Sequence, residues 1–214
     1  MPNKTKYTRS DVIEAGLNQL RDDGWDGLTP KKVAARLGAS TMPIYSHFPA
    51  MADFKKALMD RAWQMMETYA LDAYTGDPWV DHGVGYVLFA RDNGRLFSCM
   101  HSESLEQVRE RRYQFWLTIS KDLSDYPLFR DMDPELAGWI RNLRSFLVYG
   151  IAVSVNTGLT PVWENEAVIR QMVSLCSDVL REGLAQNKDK LDQTLNLIPR
   201  EARERISQIS LETD

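Results

Sequence analysis

The side chains best placed to do chemistry lie between Thr29 and His47, and the chemistry they offer is contact with a polyanion. Thr29 followed by Pro30 is a helix start: a hydroxyl that caps, then a proline whose missing N–H the first turn does not need. The unpaired backbone N–H groups at such a start attract a phosphate. Lys31 stands in the same first turn. Gly38 supplies a turn, and a second short helix follows, capped by Ser40 and closed near Phe48 and Pro49. Thr41, Met42 and Pro43 lie at its start, with Tyr45 and His47 further along. Two short helices joined by a tight turn are a layout that presents one helix to the major groove of duplex DNA.

These helices need a scaffold. Val33, Leu37 and Ile44 are spaced to bury between them, and Ala34 is small where they must cross closely. Pro43 is tolerated in a first turn but biases Met42 away from helical geometry. Thr41 is then the main hydrogen-bonding side chain of the base-reading surface, while Met42 and Pro43 suit thymine methyl groups. The same residues have a plainer reading. Tyr45 and His47 also fit the surface of any helical domain, and Lys31, Lys32 and Arg36 also fit an ordinary solvated face.

Composition bounds the alternatives. The chain has 214 residues, 43% hydrophobic and 26% charged, with a net charge of −4. That average hides a split: residues 1–62 carry ten basic and seven acidic side chains, and the remainder 16 and 23. A basic module on an acidic body suits a nucleic-acid binder. No apolar run approaches the roughly 18 residues that span a bilayer, and the start MPNKTKYTRSD is no signal peptide. Cys99 and Cys176 are far apart and suit reduced thiols, so the expectation is a cytoplasmic protein with no membrane contact. His82 and His101 lack partners at metal-ligand spacing, and no Ser/His/Asp set or glycine-rich phosphate loop is present. No catalytic residue, metal or cofactor is therefore assigned. An all-helical enzyme and a protein-binding adaptor remain the competing classes.

Apolar residues recur at three- and four-residue steps almost throughout, so the fold class is all-α. Thr8 or Ser10 caps a first helix with Val12, Ile13, Gly16, Leu17 and Leu20 inward, ending near Gly24. A connecting helix runs over 51–74. Beyond the break at GDPWVD, helices are expected over 83–92, 103–123, 134–157 and 164–185, with a turn at 92–94. Glu103, Glu106 and Glu110 with Arg109, Arg111 and Arg112 form an exposed charge lattice. Inward positions are Leu105, Val108, Phe115, Trp116 and Ile119; then Trp139, Leu143, Phe146, Leu147, Gly150 and Ile151; then Val168, Met172, Leu175, Cys176 and Val179. The last two long helices, with Gly150, Ala152 and Ser154 permitting close approach, favour a dimer seam. Ten aromatics from Trp63 to Tyr149 are mostly core, two or three of them lining a cavity. The domains are then 1–50 for the helix-turn-helix, 75–190 for a helical body, and a 191–214 tail with an amphipathic piece around Leu195–Ile209.

Leu28-Thr29, Val33-Ala34, Leu37-Gly38 and Ile44-Tyr45-Ser46-His47-Phe48, followed by a further helix, resemble the N-terminal domain of the TetR family of bacterial transcriptional regulators. The resemblance covers about residues 8–62 at motif level and is architectural beyond. It implies a homodimer that binds a double-stranded, palindromic DNA operator, usually as a repressor, and is released by a small-molecule effector in the helical body. It also implies that Thr29, Lys31, Tyr45 and His47 meet the phosphate backbone and that Ser40, Thr41, Met42 and Pro43 face the groove. One departure stands out. The family's Ser-Lys or Asn-Lys at the next helix start is here Ala50-Met51, without charge, leaving Lys55 or Lys56 to compensate in part.

Overall fold

The computed structural model describes residues 7–102, 105–123, 125–159 and 161–203. The backbone of Glu103, the side chains of Leu105, Glu106 and Arg109, and the tail beyond 203 lie outside the described residues. Ten α-helices and a 3-10 turn make up the described chain, which contains no strand. It divides into two compact units, Met1–Met65 with Asn93–Val108, and Met66–Asp92 with Arg109–Asp214.

The first unit opens with α1 (Arg9–Gly27), started by a capping box: Asp11 N–H donates to Thr8 Oγ1 at 3.1 Å and Thr8 N–H to Asp11 Oδ2 at 2.8 Å. These bonds hold the Asp11 carboxyl below its ordinary pKa. Gly24 interrupts α1 with φ of 67°. Next come α2 (Pro30–Leu37), α3 (Met42–His47) and α4 (Met51–Ala70), the last ending four residues before the expected Tyr74. Val12, Leu17, Leu20, Val33, Ile44, Phe48, Phe54 and Leu58 fill the core. Phe48 and Phe54 meet with ring centroids 5.1 Å apart.

One further element of this unit is α6 (Gly94–His101), which the turn signal at 92–94 concealed. Trp25 Nε1 donates to the Cys99 carbonyl at 3.0 Å, Arg21 Nε to Asn93 Oδ1 at 3.3 Å, and Trp63 packs on the His101 ring at 5.9 Å. Eight residues are too few to hold a helix alone, and it is α1 that completes their apolar face.

The second unit is built on α5 (Pro78–Asp92). It starts five residues before the expected Gly83 because Asp77 caps it: Asp77 Oδ1 accepts from Trp79 N–H at 2.9 Å, with Pro78 in the first turn. Eleven of its residues are buried, Asp81 and His82 among them, so the helix is enclosed almost all round. Gly85 lets α4 approach, since a Cβ there would strike the Tyr69 backbone. Around α5 stand α7 (Leu105–Asp122), α8 (Pro134–Asn156) and α9 (Glu166–Gln186), followed by α10 (Lys188–Leu195). Phe115 and Ile119 of α7 are buried as expected, with Val108 and Trp116 half-buried. Arg111 and Arg112, expected in an exposed lattice, are half-buried, and the Arg112 guanidinium carbon lies 5.5 Å from the Tyr149 ring centroid.

The inward faces of α8 and α9 differ from expectation. On α9, Ile169, Val173 and Ser177 are buried, while Met172, Leu175 and Val179 are exposed. On α8, Leu136, Ile140, Arg141, Arg144, Val148 and Ala152 are buried, and Phe146 and Gly150 face out. Both helices have two apolar faces, and periodicity cannot rank them.

Candidate nucleic-acid interface

Thr29 caps α2 in extended geometry, its Oγ1 accepting from Lys32 N–H at 3.3 Å, with Pro30 at the first helical position. The helix ends at Gly38, whose φ of 61° is left-handed. A Cβ there would meet nothing within 4 Å, so glycine is needed for backbone conformation and not for room. Val33, Ala34 and Ile44 are buried under the turn, and Leu37 is half-buried. The scaffold is therefore assembled as the spacing anticipates.

The start of α3 is one residue later than Ser40 as cap would put it. Thr41 occupies the cap position in helical geometry and makes no capping bond, while Ser40 Oγ takes the Met42 N–H at 3.4 Å. Pro43 is the reason: it sits where a cap would seek an N–H and has none. Met42 stays in the first helical turn despite the proline. The half-exposed Thr41 hydroxyl is left uncommitted among the described residues. Met42 is 76% exposed and Tyr45 48%, so α3 displays both side chains to solvent. Ser40 and Ser46 are exposed and Pro43 half-exposed beside them, and Ser46 Oγ bonds back to the Pro43 carbonyl at 2.8 Å.

The cations of α2 separate into two kinds. Lys32 Nζ is 2.7 Å from Asp23 Oδ2, which lowers the Asp23 pKa through that bond. Arg36 pairs with Asp22 and donates from Nε to Gln19 Oε1 at 2.6 Å. Lys31 is exposed and has no such partner among the described residues. Sequence spacing held no sign of the Asp22 and Asp23 pairings, because the partners sit on different helices, 14 and nine residues away.

His47 is half-buried, with Nε2 2.9 Å from the Tyr7 carbonyl, and Tyr7 OH reaches the Gly38 carbonyl at 3.4 Å. The histidine thus ties the segment before α1 to α3. At the start of α4, the Ala50 N–H is taken by Asp53 Oδ2 at 3.2 Å, so an acid stands near the place of the missing lysine. Lys55 Nζ lies 5.5 Å from the Trp25 ring centroid, and Lys56 is exposed.

No family model matches the chain. Over 62 residues it is 40% identical to the class A tetracycline repressor protein from transposon 1721 of Escherichia coli, covering 29% of this chain and 27% of that protein. Over 56 residues it is 32% identical to an HTH-type transcriptional regulator of Mycobacterium tuberculosis, 26% of each. The chain thus spans about a quarter of the length of these curated relatives. Its fold matches the crystal structure of the TetR family transcriptional regulator PfmR from Thermus thermophilus, with a TM-score of 0.50 and 15% identity over 82% of this chain and 96% of that one. In a shared N-terminal segment and in fold, the chain is similar to TetR-family regulators.

The second unit holds an apolar pocket of about 80 Å³ lined by Leu128, Met132, Leu136, Ile140, Leu184, Lys188 and Leu191. None of the ten aromatics marked by sequence lines it. Trp79, Phe89 and Phe115 are instead core, and Phe146 is exposed. No group of three metal-ligating side chains gathers among the described residues, and no helix there is long and apolar enough to cross a membrane. His82 is buried with Nε2 2.7 Å from Asp122 Oδ2, yet desolvation, aided by Arg144, pulls its pKa down to about 4. The pair is therefore a neutral imidazole donating to a carboxylate, not an ion pair.

Proposed function

We propose that this chain is a DNA-binding transcriptional regulator of the cytoplasm, a repressor that binds a palindromic operator as a homodimer and is released by a small molecule. The observation that carries the reading is the display at α3: exposed Met42 and Tyr45 with half-exposed Thr41, held beside Lys31 by a packed helix-turn-helix core. Thr29 with its backbone N–H groups, Lys31, Tyr45 and His47 meet phosphates. Ser40, Thr41, Met42 and Pro43 face the major groove. Repression is the activity that one relative's name carries.

Two-fold symmetry in the protein calls for a two-fold operator, with half-sites about one helical turn, roughly 34–36 Å, apart. The face that supports pairing is the exposed apolar side of α8 and α9: Phe146, Met172, Leu175 and Val179, with Gly150 allowing close approach. An effector in the second unit releases DNA only as far as it binds the non-operator conformation better than the operator-bound one.

Selection of bound sequences from random duplex DNA tests the reading. Paired half-sites at fixed spacing are expected, and Thr41→Ala should change the selected sequence. Enrichment of no sequence at all would reject it. Val179→Glu should convert a dimer into a monomer by light scattering, and a parent chain already monomeric at micromolar concentration would remove the dimer from the proposal.

A further inference from the structure

The inner face of α8 carries two arginines where burial ordinarily selects apolar side chains. Arg141 is buried with its guanidinium carbon 5.3 Å from the Phe129 ring centroid. Arg144 is 5% exposed, its guanidinium carbon 4.6 Å from the centroid of Trp79. Room for it comes partly from Gly83, where a Cβ would stand 3.0 Å from Arg144 Nη2. Burial lowers its pKa to about 10, so it remains charged at neutral pH.

Arg144 Nε and Nη2 are both buried, and neither has a hydrogen-bond partner among the described residues. Those two N–H groups form one edge of the guanidinium, the fork that a carboxylate fills with two parallel bonds. Asp77 acts on Arg144 only through charge, and its own oxygens already take the Tyr126 hydroxyl, Arg181 and the Trp79 N–H. The ring of Trp79 offsets part of the burial through its contact with the cation. A buried cation with an unfilled fork is an unstable arrangement that an entering anion relieves. One and two turns earlier on the same face of α8, Ile140 and Leu136 line the aliphatic pocket.

We propose that the second unit takes an amphipathic carboxylate, its carboxylate bound by the Nε/Nη2 edge of Arg144 and its apolar body lying among Trp79, Phe129 and the aliphatic side chains of α8. The inference rests on the reading that this unit receives the effector. The fork is covered by protein, so entry requires the packing of α5 against α8 to shift. That requirement links occupancy to conformation.

The full chain is melted with straight-chain carboxylates from acetate to octanoate, and with the corresponding neutral amides at matched ionic strength. The acids should raise the melting temperature by a few degrees, more with longer chains, and the amides should not. Arg144→Met should abolish the response and, without ligand, should unfold at the same or a higher urea concentration than the parent. Arg144→Lys, which keeps the charge but not the fork, should respond at least about tenfold more weakly. Acids and amides acting alike on the parent would overturn the inference without any variant, and leave the operator selection untouched. So would a response that survives Arg144→Met. Acids that stabilise the chain but leave operator binding unchanged would overturn the effector role of the site while the DNA-binding reading stood.

Discussion

The two units treat their interior polar groups in opposite ways. In the first, Gln19 is buried but fully engaged, bonding Asp23, the Gly27 carbonyl and Arg36. The cations Lys32 and Arg36 are matched by Asp23 and Asp22. In the second, Arg144 Nε and Nη2, His82 Nδ1 and the Ser120 hydroxyl are buried and unmatched among the described residues. A domain that presents side chains to an outside partner gains from a closed, satisfied interior, because its surface must hold one geometry. A domain that changes state on binding a ligand can carry groups that only the ligand completes.

The largest effect that probes this contrast comes from Trp79, whose indole is fully buried, donates to the Ser177 carbonyl at 3.3 Å and packs on Phe129 at 5.5 Å. Trp79→Ala should destabilise the second unit by about 3–5 kcal/mol, read as a lower urea midpoint. A loss under about 1 kcal/mol would mean the unit's core is organised elsewhere.

The next effect is a pH dependence. His82 faces Arg144 of α8, Asp122 of α7 and Asp81 of its own helix, and its pKa falls from 6.5 to about 4. The folded ring resists protonation that the unfolded ring accepts, so the stability it contributes is complete above about pH 6.5 and is lost as the pH falls through about 4. The loss should reach roughly 3 kcal/mol at full extent. Urea midpoints at about pH 7.5 and about pH 4.5 measure it. His82→Gln should flatten the difference; an equally steep variant would assign the dependence to other groups.

The smallest effect separates neighbouring lysines. Lys31→Ala should weaken binding to all duplexes and reduce the salt slope by about one. Lys32→Ala should change the slope far less, because Asp23 already holds that charge at 2.7 Å. Equal slopes for the two variants would show that DNA displaces the aspartate, erasing the claimed difference within α2.

Much of the first unit was legible because its signals are local. Thr29-Pro30 and Gly38 act on the backbone within a turn of themselves, and Val33, Ala34 and Ile44 mark the face that α2 and α3 bury. Legibility failed where a partner lies far along the chain. The turn signal at 92–94 hid α6, which is too short to stand without α1 against its apolar face, and Trp25 and Cys99 meet across 74 residues. The pairings that neutralise Lys32 and Arg36 failed to show for the same reason.

The sequence by itself determined the all-helical class, the position of the helix-turn-helix and the residue types it displays, because capping, turn geometry and period depend on neighbours within a few positions. Only the tertiary structure decided which face of α8 and α9 is inside. Met172, Leu175 and Val179 are as apolar as Ile169 and Val173, and Arg144 reads as a surface residue until α5 closes over it. Periodicity reports that a helix has an apolar face. Packing against a particular neighbour selects which face is buried, and in α8 it buried a charge that the sequence pattern assigns to solvent.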